Sequence, residues 1–414
     1  MNLLKLAAPR WRAGSGRLVA LTLLLAACSR SGDIDRPAGT PPTEVAGFIE
    51  VHAPLDAAGN PAYNSTLVAY SRNGVVRWQR PNLYAVVPFP HRSAHGLMFT
   101  VSSSASEVAQ LQALDLSNGS VRWTTPPGRR VATDCVFSDS LLYVAASTPD
   151  YDSSWVQAYQ WRTGTLQWER YVPGVLYNFA IDSSARRLYF SSISAGTGFG
   201  FRVHAFDLQA KQDVWAKSFG LIHNSNGPFV LNGDLLHFID AASGLHTVST
   251  ATGNELWSLG NAEAGDPYLI GDKLFVRSFR SSENRVLSLN ARTGTINWWK
   301  GTLDPFTSPH PYYYTDLLMP PGGSDLYVAS YGDFRQDTLH QLDPATGDLR
   351  QRFPVIKSYY RLVDDVSLYT IRDGYADPSA GNRSKVIVYD LATRLPKDSF
   401  FLTGSNGISF APYW

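Results

Sequence analysis

Residues 113–123 read Ala113-Leu-Asp-Leu-Ser-Asn-Gly-Ser-Val-Arg-Trp123, and the same outline keeps returning along the chain. It recurs at Ala158–Trp168, Thr247–Trp257 and Ser288–Trp298, and more loosely at Ala205–Trp215, Gln341–Gln351 and Val388–Asp398. A copy one residue shorter runs from Ala69 to Trp78. Its last residues are Trp78, Trp123, Trp168, Trp215, Trp257, Trp298, Gln351 and Asp398, spaced 41 to 53 residues apart. A period near forty-five residues matches one four-stranded propeller blade. In five copies a glycine stands four residues before the anchor, preceded by Asn or Thr. Asn-Gly or Thr-Gly between two apolar runs marks a tight hairpin, because glycine accepts positive φ. Asp115, Asp207, Asp343 and Asp390 open their turns, where a carboxylate can accept backbone N–H bonds.

A second pattern precedes each hairpin: Leu97-Met-Phe99, Leu142-Tyr-Val144, Leu188-Tyr-Phe190, Leu236-His-Phe238, Leu274-Phe-Val276, Leu326-Tyr-Val328 and Leu368-Tyr-Thr370. Each unit therefore reads as strand A, strand B, strand C, turn, strand D. Seven units are complete. The eighth is split: strands B and C (about Val45–Val51 and Thr66–Tyr70) precede Trp78, and the lone strand A is the chain's end, Asn406–Trp414. The expected fold is an all-β, eight-bladed propeller over residues 45–414, closed by the C-terminal strand joining the first blade. Closure removes sheet edges that would otherwise pair with other chains.

The N-terminus carries an address. Lys5, Arg10, Arg12 and Arg17 precede the apolar run Leu18–Ala27. Ten helical residues rise only about 15 Å, half a membrane span, so residues 1–27 read as a signal peptide. The ending Leu25-Ala26-Ala27-Cys28 resembles the bacterial lipobox, which marks Cys28 for lipidation. Acyl chains such as palmitate anchor by about 0.8 kcal/mol per buried methylene. Ser29, rather than Asp, after the cysteine points to an outer membrane if the source has one. Residues 28–44, polar with Pro and Gly, read as a tether.

The pattern Ala-x-Asp-x-x-Ser/Thr/Asn-Gly-x-x-x-Trp resembles the tryptophan-docking repeat of quinoprotein (PQQ-type) propellers, a WD40-like architecture. Ala113, Asp115, Asn118, Gly119 and Trp123 match it in full; Ala158, Thr163, Gly164 and Trp168 match it except at Gln160. The resemblance spans about Val45 to Trp414. It implies that Trp78, Trp123, Trp168, Trp215, Trp257 and Trp298 wedge between blades and stack on the neighbour's backbone. A lipobox followed by a bare propeller is similar to the BamB lipoproteins of outer-membrane β-barrel assembly. That implies a lipid-anchored, monomeric scaffold in the cell envelope, touching protein partners through loops on one face. Insertions around Asp150–Ser154, Pro305–Thr315 and Tyr375–Asn382 depart from that family's regularity.

Two rival readings are a PQQ-dependent dehydrogenase and a ligand-binding sensory propeller. Quinone enzymes of this repeat class commonly hold a pair of adjacent cysteines, a Ca²⁺ site and a catalytic Asp. The only cysteines here are Cys28 and Cys135, far apart, so neither PQQ nor Ca²⁺ is expected. No dinucleotide, P-loop, nucleophile-elbow or His-Glu-x-x-His motif occurs. His91 and His95 lie on a strand-loop stretch without ligand spacing. Asp373–Asn382 is oxygen-rich but lacks calcium-loop spacing. No catalytic residue is assigned. Near-neutral charge (36 Lys plus Arg against 35 Asp plus Glu) gives no footprint for nucleic acid. Strand A of each blade should line the channel, with Arg129, Arg130, Asn178, His223, Asp266, Tyr312, Tyr359 and Arg361 at its mouth, where aromatics with Arg can hold an anion or a peptide. Cys135 is expected to fill a small buried space.

Overall fold

A computed structural model describes residues 46–413 apart from connecting segments, of which the longest are 53–64, 84–91, 302–313 and 373–383. Residues 1–45, where the sequence suggests a signal peptide, a lipidated Cys28 and a tether, lie outside the described residues. The rest forms eight four-stranded antiparallel sheets. In blades 2 to 8 the four strands follow in chain order, over residues 92–124, 131–173, 175–221, 230–259, 268–300, 314–356 and 360–401. Blade 1 is composite. Its inner strand is Gly407–Tyr413, hydrogen-bonded to Gly47–His52, followed by Ser65–Ser71 and Val76–Leu83. The C-terminal closure read from the sequence is therefore present. First strands of neighbouring blades approach one another, which sets strand A around the axis and strand D at the rim.

The repeat's spacing has a direct structural meaning. At one level of each blade, a residue on strand B faces one on strand C, which faces the anchor on strand D. The triplets include Phe99–Ala113–Trp123, Tyr143–Ala158–Trp168, Tyr189–Ala205–Trp215, His237–Thr247–Trp257 and Phe275–Ser288–Trp298. A small residue in the middle lets the outer two rings meet above it, with centroids 5.8–6.3 Å apart. Aromatic pairs at that range add about 0.5–1.5 kcal/mol beyond area burial. Immediately after every anchor pair the C–D register slips. Such a bulge bends the outer strand and increases its twist.

Each indole then docks on the next blade. The Nε1–H groups of Trp78, Trp123, Trp215, Trp257 and Trp298 donate to the carbonyls of Leu116, Trp161, Thr250, Ala291 and Pro344, at 2.8–3.2 Å. Trp168 stacks on Phe206 of blade 4, 5.9 Å between centroids and 24° between planes. The indole lies on the C–D turn of the blade it docks against, and there the glycine is required twice over. Gly119, Gly164, Gly253, Gly294 and Gly347 have φ between +66° and +73°, and a Cβ on any of them would lie 2.5–2.6 Å from the preceding blade's indole. Burying roughly 200 Å² of indole at about 25 cal/mol per Å² contributes on the order of 5 kcal/mol gross per junction.

The turn-opening aspartates behave as their positions require. Asp115 accepts the N–H of Ser117, Asp207 those of Gln209 and Ala210, Asp343 those of Ala345 and Thr346, and Asp390 that of Thr393. All four carboxyls are held below their ordinary range, because these bonds favour the ionised form; the hydroxyl of Ser117, which also donates to Asp115, leads there with Arg122 assisting, and Arg350 leads at Asp343.

Candidate functional site: the two ends of the ring

A meandering blade has two unlike ends. The A–B and C–D turns share one end; the B–C connections and the D-to-A links between blades share the other. The first end is trimmed: several A–B turns are as tight as Gly233-Asp234 and Gly271-Asp272, and the Asp-capped C–D turns sit beside them. The second end takes the longest connections, 53–64, 302–313 and 373–383. All three insertions singled out in the sequence join strands at this second end.

The channel-mouth candidates sort the same way. Arg129, Arg130, His223, Asp266, Tyr312 and Tyr359 lie outside the described residues, but each occupies a D-to-A link, and Arg361 lies in strand A of blade 8, Tyr360–Val363. Topology thus brings the ends of these segments to one end of the ring, where each leads into an inner strand. His91, His95 and the oxygen-rich stretch 373–382 also fall outside the described residues. Cys135 is fully buried in the core between blades 2 and 3, as expected of a small apolar filler.

Asn178 is described, and its backbone is unusual. It sits in strand A of blade 4, Val175–Asp182, at φ 59°, where the register against strand B breaks between Tyr177 and Ala180. Asp134, on strand A of blade 3, secures this break from across the junction. One oxygen of Asp134 accepts the N–H of Cys135 at 2.7 Å, the other the N–H of Phe179 at 2.8 Å. Asp134 is itself buried. Its role is to satisfy a donor that a bulge would otherwise strand inside the protein. Sequence reasoning missed Asp134; its signal was a lone carboxylate inside the apolar strand Val131–Phe137.

Two histidine arrays were also missed. On strand C of blade 4, His204 stacks on Phe190, 4.7 Å between centroids, with Nε2 2.9 Å from Ser192 Oγ and Nδ1 3.2 Å from Asp213 Oδ2. That connectivity is the one a Ser-His-Asp hydrolase uses. Accessibility runs the wrong way, however: Ser192 is buried and Asp213 is the exposed member. Blade 5 repeats the array at the same register. His246 stacks on Phe238, with Nε2 3.1 Å from Asp240 and Nδ1 2.6 Å from Glu255. Aspartate stands where blade 4 has serine, so this is a repeat position that clamps a ring, not a nucleophile. Burial pulls the pKa of His246 down, but its bonds to Asp240 and Glu255 and their charge outweigh that and hold it above 6.5. Among the described residues no group of three or more His, Cys, Asp or Glu side chains is arranged to hold a metal ion.

The comparisons with known proteins agree with this architecture. The family model described as outer membrane protein assembly factor BamB matches residues 63–218 and 199–393. Among solved structures, BamB from Moraxella catarrhalis is similar at 18% identity and a TM-score of 0.52, covering 79% of this chain and 96% of that one. Quinohemoprotein alcohol dehydrogenase from Comamonas testosteroni is similar at 11% identity and a TM-score of 0.52, covering 80% and 69%. Sqt1 from Saccharomyces cerevisiae is similar at 13% identity and a TM-score of 0.53, covering 77% and 85%. Identities this low establish the propeller fold alone. No curated protein sequence matches the chain.

Proposed function

The chain belongs to the family described as outer membrane protein assembly factor BamB, and from that premise we propose that it is a lipid-anchored, non-enzymatic interaction scaffold of the bacterial cell envelope, serving outer-membrane protein assembly as a monomer. One observation carries the reading: connection length is distributed unequally between the two ends of the ring. A rigid frame with tight turns at one end and long connections at the other suits recognition at the second, because loops vary without disturbing the docked blades. Cys28 would supply the membrane attachment and residues 28–44 the reach.

The test uses the full chain in cells with a photo-crosslinking residue at one site per variant. Pro127, Pro173 and Gly260 are exposed and lie beside D-to-A links; Ser184, Arg292 and Ala345 are exposed at the trimmed end. Adducts to envelope proteins should come from the first set. Equal labelling from both sets, or none from either, would remove the support for a polar scaffold.

The fold is shared with a quinone-dependent dehydrogenase, which makes one control necessary. Purified protein supplied with pyrroloquinoline quinone, Ca²⁺ and an alcohol should show no quinone-dependent turnover. Turnover would replace the scaffold reading with an enzymatic one.

A further inference from the structure

The eight junctions of the ring are not equivalent. Six carry a tryptophan laid on the next blade's turn, from Trp78 between blades 1 and 2 to Trp298 between blades 6 and 7. The closing junction, between blades 8 and 1, has a substitute. Asp398 keeps the anchor's register opposite Val388 but is exposed. Phe400, two residues on, occupies the indole's place against Gly74, whose φ is +80°, and packs near Phe48 and Tyr70. Arg72 of blade 1 also reaches into blade 8, donating from Nε to Tyr369 Oη at 3.1 Å and from Nη2 to Ser367 Oγ at 3.2 Å. Tyr369 in turn donates to Asp364 at 3.0 Å.

Among the described residues, the junction between blades 7 and 8 shows neither a docked indole nor the Phe400 and Arg72 pair. Gln351 holds the anchor register opposite Gln341, and the turn it faces carries Arg394 at φ 63° where the docked junctions mostly have glycine. Arg350 of blade 7 is spent inward: it bridges Asp325 at 2.6 Å and Asp343 at 2.8 Å, both within that blade. The apolar packing that remains runs from Leu318 on strand A to Val355 on strand D of blade 7, with Leu368 and Tyr389 of blade 8 against it and Leu391 at the turn, but it includes no indole.

We propose that the ring is jointed between blades 7 and 8, so that it yields there first while the other seven junctions hold. The joint is a property of the fold, independent of the scaffold reading, and its failure would leave that reading untouched. Its position is unexpected: the yielding junction is one blade removed from blade 1, where the first and last strands of the propeller pair. A blade loosened on one face is a single four-stranded sheet with half its support gone, and its amides should open more often than those of a blade docked on both sides.

Hydrogen–deuterium exchange on the intact folded chain reads this directly. The amides of Ser367–Arg372 and Lys385–Asp390 in blade 8 should exchange about tenfold faster, or more, than their counterparts Leu141–Ser147 and Ser153–Gln160 in blade 3. Installing the missing pair, Gln351→Trp with Arg394→Gly, should remove most of that difference. Where that variant does not fold, the reverse transplant Trp298→Gln with Gly347→Arg should raise exchange in blades 6 and 7 instead. Equal exchange in blades 3 and 8 of the unaltered protein would overturn the proposal. So would a folded transplant, in either direction, that leaves blade exchange where it was.

Discussion

Gly164→Ala isolates the docking geometry from ordinary backbone effects. Gly164 has φ +70°, and a Cβ there would stand 2.5 Å from Trp123 Cε3 and 2.6 Å from Cδ2. Alanine in the left-handed region costs roughly 1–2 kcal/mol by itself. Moving the indole aside also breaks the 2.8 Å bond from its Nε1–H to the Trp161 carbonyl, worth about 0.5–1.5 kcal/mol. It further forfeits part of the packing of a ring that is only 8% exposed, on the order of 1–2 kcal/mol. The whole comes to about 3–5 kcal/mol. Two controls divide that figure. Gly233 shares the backbone condition, φ +58°, with nothing within 4 Å of its Cβ position, and Gly128 has open space without positive φ. Their alanine variants should cost about 1–2 kcal/mol and within roughly 0.5 kcal/mol of nothing, respectively. Denaturant unfolding followed by fluorescence orders the three. In a Trp123→Leu background the cost of Gly164→Ala should fall to the backbone share. If Gly164→Ala proves no worse than Gly233→Ala, or its cost survives loss of the indole, glycine is not there to admit tryptophan and the docking argument fails.

Further expectations concern the aromatic triplets and the buried rings. Trp215→Ala should destabilise by about 3–5 kcal/mol while Trp215→Phe costs less, since phenyl keeps the contact with Tyr189 but loses the bond to the Thr250 carbonyl; calorimetry on the two variants tells them apart. His237 and His340 are buried neutral, burial pushing both down to about 4 from 6.5. The unfolded chain binds those protons first, so their contribution is complete above pH 6.5 and is lost as pH falls toward 4. His237→Phe, which restores the aromatic found in blades 2 and 6, should flatten part of that acid limb in unfolding measured from pH 7 to 4. His246 has the opposite sign: its folded pKa is raised, so its contribution is full below 6.5 and fades as pH climbs through the folded value. His246→Gln should lose stability at pH 6 and converge on the unaltered protein at high pH; a constant gap across that range would contradict the imidazolium clamp.

The sequence carried the repeat because its marks are local. Glycine and Trp123 four residues apart announce a hairpin and its outer strand without reference to anything distant, and the orphaned strand A at the C-terminus followed from counting. What stayed hidden lies across junctions. Lys211 and Arg394 adopt the turn's positive φ without being glycine, and nothing in their own neighbourhood says so. Phe400 replaces an anchor from two residues away because strand D of blade 8 meets Gly74, more than three hundred residues earlier. Asp134 answers a bulge in the following blade. Spacing along a chain shows which residues form a blade, and contacts between blades decide how firmly each is held. The channel-mouth residues were placed at one end by topology, which strand order alone supplies.

Ring closure is the claim on which the rest depends, and a single pair of cysteines tests it. Val51 on the first strand of the propeller stands opposite Ser409 on the last, within the Cα separation a disulfide can bridge. Val51→Cys with Ser409→Cys should form an intramolecular bond under mild oxidation, seen as a loss of two hydrogens in the intact mass and a linked peptide pair after digestion. Free thiols at both positions in folded protein, or bonds formed only between chains, would contradict a ring sealed by its own C-terminal strand.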